Sequence, residues 1–528
     1  MSLLATLARL EAVRSGRAEP LATVRHRHLS DRPLVLVPLA AAGEAGAPLA
    51  VLLGTDREAP RLHIVPQPLN RTQRFEFLAR FAAELVPYLE SFGSEVEQIE
   101  RAEKDPETGE KTQTFRELCS DAPQLIVPNG GAVQHLALLG RSTRFRRTAE
   151  DPDPGPYPAP TRVPLLGRWL THLTERAQVP GSSLLLPMTG LLSRHWATGQ
   201  SHLEDQHLGA QLAWHTGASG AERATLVETA RDAAGQLLHP PAGPATDPAF
   251  DAKVLAPAIT RHDGALAALA AAEQQEQGQD QDRARLRVKE SAEELHAALL
   301  RVLLPTWEDV WRGLDLLRTL PPAAHLAERW EGDRWSYTNH RDRLAAGEPP
   351  QPKQDDAVTA ARKLAQRERE QARLDVHEAL DDPLAMAGHR LSGEAFAGVV
   401  TEVVPEYDTS GRSPKPRPLL VVRTTDHPHA DQGRKVYRAN HSTAQEALIV
   451  ADDRAAGTVT VRVLNGMGRK KEPEPGSLPE PGERVVFTLF ELTPRQSAPL
   501  PEPDDTPWTH GGPPGGTDRS PTATEEWE

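Results

Sequence analysis

Histidine and carboxylate side chains gather at one place in the chain, His195, His202, Glu204, Asp205, His207 and His215. Metal-assisted hydrolysis would be sought there first. A zinc site needs three or four ligands converging tetrahedrally. On a helix, ligands four residues apart share a face, as in H-E-x-x-H. In "HLEDQH" the two histidines, His202 and His207, are five apart, which turns them away from each other. The spacing predicts solvated or hydrogen-bonded histidines, and no catalytic residue, metal or cofactor is assigned. A hydrolase or nuclease built on His195, His202, Glu204, Asp205 and His207 stands as one alternative; it requires bound metal and loss of activity in His202→Ala.

Nucleophile and phosphate-loop patterns are poor. There is no G-x-S-x-G and no Walker A lysine. The single cysteine, Cys119, has Glu117 and Asp121 beside it, neighbours that do not favour a thiolate. "PNGGAVQHL" could offer a helix N-terminus to an anion. It lacks the G-x-G-x-x-G spacing and reads as a tight turn. Asp56 precedes a strand, but the following "RLHIV" has no Glu-x-Lys partner for a nuclease core.

Binding chemistry is better represented. Between Gly411 and Asn440 stand Arg412, Lys415, Arg417, Arg423, Arg434, Lys435 and Arg438, against Asp426 and Asp431, with Tyr437 among them. Arg469, Lys470 and Lys471 follow the alternating run Val459, Val461, Val463. Lys and Arg lining a groove contact phosphates, and an aromatic ring adds stacking. The expected nucleic-acid-binding residues are therefore Arg434, Lys435, Tyr437, Arg438, Arg469, Lys470 and Lys471. The competing reading is that these cations guard the edges of a small β-domain against aggregation. A second cluster, Arg141, Arg144, Arg146 and Arg147 around Phe145, follows a helix C-terminus, where the dipole favours cations.

The whole-chain charge of −14 gives no basic field, so a nucleic-acid site must be a local patch. Proline, at 48 of 528 residues, is about twice its average usage. One cysteine excludes a disulfide framework and a Cys-based zinc site. The N-terminus lacks a secretory h-region, and no stretch approaches a membrane span. The expectation is a cytoplasmic protein with no membrane partner.

The elements that must position these residues fall into blocks. "RPLVLVPLA", "APLAVLLGT" and "RLHIVPQP" read as an antiparallel meander, followed by an amphipathic helix capped by Asn70. "EQIERAEKDPETGEKTQTFREL" reads as a connector or exposed excursion. A helix beginning near Ala132 is expected to end at Gly140. Residues 1–150 then form a small α+β domain. Residues 151–250 read as helical, "SSLLLPMTGLLSRHWATG" included. Residues 251–392 read as a helical arm. In it, a helix over Leu286–Leu303 ends at Pro305, Thr306 caps the next, and an antiparallel partner comes from "DDAVTAARKLAQREREQARLDVHEAL". From Gly393, six strand-like runs at short spacing predict a small all-β barrel over 393–494, OB-like and five-stranded. Residues 495–528 read as a disordered acidic tail.

The sequence thus predicts a multidomain α+β protein without chemistry of its own. It would be an intracellular adaptor whose C-terminal barrel binds nucleic acid, whose helical arm holds a protein partner, and which acts with a separate ATPase or helicase. A protein–protein scaffold without nucleic-acid binding is the other alternative.

Overall fold

The computed structural model describes residues 3–493, apart from 44–45, 105–110, 275–277, 411–413, 440, 442–444 and 469–471. The expected tail lies outside the described residues. The strands longer than two residues are β1 (Leu34–Ala40), β2 (Pro48–Gly54), β3 (Arg61–Ile64), β4 (Val96–Lys104), β5 (Lys111–Cys119), β6 (Leu125–Val127), β7 (Leu185–Pro187), β8 (Ala395–Val404), β9 (Leu419–Arg423), β10 (Lys435–Arg438), β11 (Glu446–Asp453), β12 (Thr458–Val463) and β13 (Arg484–Thr488). The main helices are α1 (Leu3–Ser15), α2 (Arg71–Glu90), α3 (Gly130–Thr143), α4 (Val163–Arg176), α5 (Met188–His195), α6 (Leu208–Ala213), α7 (Gly220–Thr229), α8 (Ala256–Gln274), α9 (Gly278–Arg318), α10 (Leu326–Ala345), α11 (Ala357–Asp381) and α12 (Pro383–Leu391).

The meander forms as the spacing predicts: β1, β2 and β3 pair antiparallel. The sheet then grows on the other edge of β1, where β6 and β7 add in parallel, giving the order β3-β2-β1-β6-β7. Strand β7 corrects the helical reading of "SSLLLPMTG". A short apolar run with both faces covered is what a buried parallel strand looks like, and Leu184, Leu185 and Leu186 are all buried.

Both faces of β1 and β2 are buried. One face packs on α2, α3 and α4, through Phe77, Phe81, Leu136, Leu166 and Trp169, with Trp330 and Tyr337 of α10. The other packs on α5, α6 and α9, through Leu192, Leu212, Leu299, Trp307 and Leu314. Helices from beyond residue 250 are thus part of the same three-layer body as the N-terminal strands.

Two helix ends differ from expectation, for identifiable reasons. Gly140 does not stop α3, which runs to Thr143. It marks a close helix crossing instead. A Cβ at Gly140 would lie 2.8 Å from the Thr171 nitrogen, and one at Gly167 would lie 2.4 Å from the Arg144 nitrogen. Pro305 does not end its helix either, because α9 runs 41 residues through it. Leu299 and Leu303 before it, and Trp307, Val310 and Leu314 after it, are all fully buried on the same sheet face. That burial offsets the roughly 3 kcal/mol cost of an internal proline. The neighbour along α9 is α8, whereas α11 packs against α12, so the expected pairing of the Leu286–Leu303 helix with the 355–380 helix is not formed.

The described residues of the charged excursion pair as a two-stranded ribbon. Strands β4 and β5 pair antiparallel from Val96↔Cys119 to Lys104↔Lys111.

The six predicted C-terminal runs form six antiparallel strands that close in the order β8-β9-β12-β11-β10-β13, with β13 returning to β8. The ring has one strand more than the five of the OB-like expectation. Alternation decides the inside: Val459, Val461 and Val463 are buried, as are Val485 and Phe487.

Helix α12 couples the body to the ring. Its N-cap Asp382 accepts from the Thr23 nitrogen (2.8 Å), the Thr23 hydroxyl (2.9 Å) and His26 Nε2 (3.3 Å). At its other end Arg390 makes a bidentate pair with Asp426 (2.6 and 3.0 Å). Asp426 also accepts from the Ala397 nitrogen of β8 at 2.8 Å.

Candidate functional site

Of the seven residues expected to bind nucleic acid, four are described. Arg434 is exposed at the start of β10. Lys435 donates to Glu446 at 2.9 Å. The Tyr437 hydroxyl donates to Glu491 at 3.1 Å. Arg438 is buried, donating to Gln445 at 3.3 Å and Glu483 at 3.0 Å. Arg469, Lys470 and Lys471 lie outside the described residues.

The two paired cations have different weights. The Lys435–Glu446 pair is half exposed, and such pairs contribute at most about 1 kcal/mol. Arg438 sits where β10 meets β13, a ladder of only two residue pairs, Tyr437↔Thr488 and Arg438↔Phe487. Glu483 is 45% exposed, so losing the bonds of Arg438 to it and to Gln445 costs about 2 kcal/mol, as for hydrogen bonds to a charged group. Arg438→Ala is therefore expected to lower the unfolding free energy of the ring by that amount, and Lys435→Ala by less than about 1 kcal/mol. Urea denaturation of both variants checks this, and equal losses would contradict it.

The strand register brings together two arginines that were not assigned as a pair from the sequence. Val399 of β8 stands opposite Arg423 of β9 on one side and Arg484 of β13 on the other. Both arginines are exposed, while the adjacent Val400, Val422 and Val485 point inward. The row Arg484–Val399–Arg423 faces outward and continues to Thr458 of β12. Its two arginine positions are about 10 Å apart, two strand spacings.

The other sequence clusters serve the fold. Arg144 is buried and donates to the carbonyls of Gln351 (2.9 Å) and Pro352 (3.1 Å). Arg146 donates to the Ser142 carbonyl at 3.2 Å, and Arg147 pairs with Asp153. His195 is fully buried, bonding the Leu191 carbonyl at 2.8 Å through Nδ1. Its Nε2 accepts from the His26 nitrogen at 3.4 Å. Burial pushes His195 down to about 4. His202 is exposed. Glu204 accepts from the Ser201 nitrogen at 2.7 Å, Asp205 from the Thr198 hydroxyl at 2.6 Å, and His207 caps α6. Among the described residues, no group of three His, Cys, Asp or Glu could hold a metal. Asn129 caps α3 and donates to the Gly243 carbonyl at 2.7 Å, and Pro244 lies against Gly131. That covers the helix N-terminus where an anion was considered. Cys119 is buried, with its Sγ 3.1 Å from Arg341 Nη1.

A second site was not foreseen from the sequence. Helices α4, α10 and α11 enclose a cleft of about 340 Å³ lined by His172, Arg176, Gly332, Trp335, Ser336, Asn339, His340, Arg343 and Gln366. The His172 and His340 rings stack face to face, 4.1 Å between centroids and 5° between planes. Trp169 meets His340 edge-on at 4.7 Å and stacks on Tyr337 at 5.6 Å. Nε2 of His172, Nε2 of His340, Nε1 of Trp169 and Nε of Arg168 are enclosed and have no hydrogen-bond partner among the described residues. An unsatisfied buried polar group costs about 1–3 kcal/mol, so four in one place call for a reason. Burial pushes His172 down to about 3, helped by the charges of Arg176 and Arg343. It pushes His340 down to about 2, helped by His172, Arg168 and Arg343. The one sequence signal was a histidine inside the apolar stripe of α4, and nothing linked it to a helix so much later in the chain.

No described helix is long and apolar enough to cross a membrane. Comparison with protein-family models, with curated proteins and with solved structures finds no match.

Proposed function

We propose that the chain is a binding adaptor without chemistry of its own, whose C-terminal ring, OB-like in use, docks on the sugar-phosphate backbone of nucleic acid while a separate ATPase or helicase supplies catalysis. The observation that carries this reading is the outward row Arg484–Val399–Arg423, with Arg434 exposed on the same ring. Guanidinium groups on a rigid antiparallel surface suit phosphate contacts, which position a strand without reading its sequence. The Arg390–Asp426 pair and the Asp382 cap couple such a ring firmly to the body that a protein partner would hold. The triple variant Arg423→Ala/Arg434→Ala/Arg484→Ala of the full chain tests the reading. It is expected to bind labelled single-stranded DNA or RNA at least about tenfold more weakly, with a salt slope lower by about 2–3. Unchanged affinity would overturn the proposal.

The scaffold alternative is favoured by a different observation: Lys435, Tyr437 and Arg438 are each engaged by a glutamate of the ring region. That reading requires no salt-sensitive nucleic-acid binding by the full chain.

A further inference from the structure

The cleft between α4, α10 and α11 is independent of the ring. We propose that it binds a phosphate-bearing ligand, either inorganic phosphate or the phosphate of a nucleoside monophosphate, held by Arg343 and the His172–His340 pair, with the charge of Arg168 close to His340. Three features point the same way.

The first is unspent donor capacity. His340 is 5% exposed, lines the cleft, and has an Nε2 without a partner, as do His172 Nε2 and Arg168 Nε. Each imidazole can present an N–H to an oxyanion. Ser336 and Asn339 add a hydroxyl and an amide from α10.

The second is charge. Asp333 is already occupied by Arg176 Nε (2.9 Å), the Ser182 hydroxyl (2.8 Å) and the Ser183 nitrogen (2.6 Å). Glu348 is taken by Arg343 Nε at 2.6 Å. Among the described residues Arg168 makes no close ion pair, though Glu348 attracts it, and its enclosed Nε stays unbonded. A fork of N–H donors on several sides matches the multiple oxygens of a phosphate better than the two of a carboxylate.

The third is space. Gly332 keeps this part of the cleft open: a Cβ there would meet only Arg176 Nη2 at 3.9 Å and Arg373 Nη2 at 4.0 Å. A cleft of about 340 Å³ lies at the small end of ligand sites, and Trp335 in its wall gives a flat face on which a base could stack.

Calorimetric titration of the full chain with inorganic phosphate, and separately with adenosine monophosphate, tests this. One saturable site is expected. A monophosphate that binds tighter than phosphate identifies a nucleotide as the source, and equal affinities identify free phosphate. Arg343→Gln, at an exposed position, is expected to weaken binding at least about tenfold, as loss of a charged hydrogen bond does, and Arg168→Gln, which removes only a nearby charge, by less. Gly332→Leu fills the cleft with a better helix former and is expected to abolish binding while leaving the thermal midpoint at or above that of the parent. The ring triple variant is expected to bind phosphate like the parent, so the two sites succeed or fail separately. No saturable binding of either probe would overturn the proposal, and so would binding that survives both Gly332→Leu and Arg343→Gln unchanged.

Discussion

Acidification is expected to unfold the α/β body near pH 5, above the ordinary pKa of Asp and Glu. Burial holds His28, His195, His215 and His377 down to about 4, His172 to about 3 and His340 to about 2. A histidine depressed in the fold stays neutral there, while the unfolded chain takes up the proton below about 6.5. Its contribution is whole above that value and is lost as pH falls toward the folded-state value. For the fully buried His195, moved from 6.5 to about 4, this amounts to about 3 kcal/mol. At pH 5 such a group has lost about 2 kcal/mol, so with the more exposed rings discounted a few of them together reach the lower part of the roughly 5–15 kcal/mol that holds a domain together. Asp309, raised by burial, works the other way. Asp382, held at about 2 by its hydrogen bonds to His26 and Thr23, adds a second loss between about 4 and 2. Circular dichroism against pH measures the midpoint. His215→Phe keeps the edge-on packing against Trp196 at 5.1 Å and removes a proton site whose depression comes from burial alone. It is expected to move the midpoint down. A body that stays folded to pH 3.5 would contradict the assignment of these rings as neutral and buried.

Asp333→Ala is expected to be the most destabilising single change on α10, by about 3–5 kcal/mol. Asp333 is fully buried and accepts from Arg176, Ser182 and the Ser183 backbone. Its removal leaves a mostly buried guanidinium without a counter-charge and a backbone N–H without an acceptor. Asp333→Asn retains an acceptor oxygen and is expected to recover part of the loss. As a control, Arg261→Ala breaks an exposed pair with Glu294 and is expected to cost less than about 1 kcal/mol. Urea denaturation at pH 7.5 compares the three, and a loss below about 1 kcal/mol for Asp333→Ala would contradict the role given to the node.

What could be read in the sequence was what depends on neighbours a few residues away. Strict alternation at Val459, Val461 and Val463 placed β12 and its inward face correctly. Asn70 capping α2 was legible for the same reason, its side chain accepting from the Gln73 nitrogen. Misreadings came where a distant partner overrode a local signal. Gly140 looked like a helix stop and is a contact point for Thr171 of α4. Pro305 looked like a breaker and is held in α9 by burial on both sides. Leu184–Leu186 looked helical because a parallel strand covered on both faces shows no alternation. At the candidate sites, the basic character of the ring was visible. Which of its cations meet a glutamate was not, because Glu446, Glu483 and Glu491 reach them through strand register. The His172–His340 stack joins two helices whose contact only the assembled core creates.

The most direct test of the adaptor reading is the affinity of the full chain for a labelled single-stranded oligonucleotide across a salt series. The ring triple variant and Arg469→Ala/Lys470→Ala/Lys471→Ala would be run beside it. The account predicts affinity falling steeply with salt, with a slope of at least about −2, and a shallower slope in the ring variant. An affinity too weak to detect at low salt, or a slope unchanged in both variants, would contradict it.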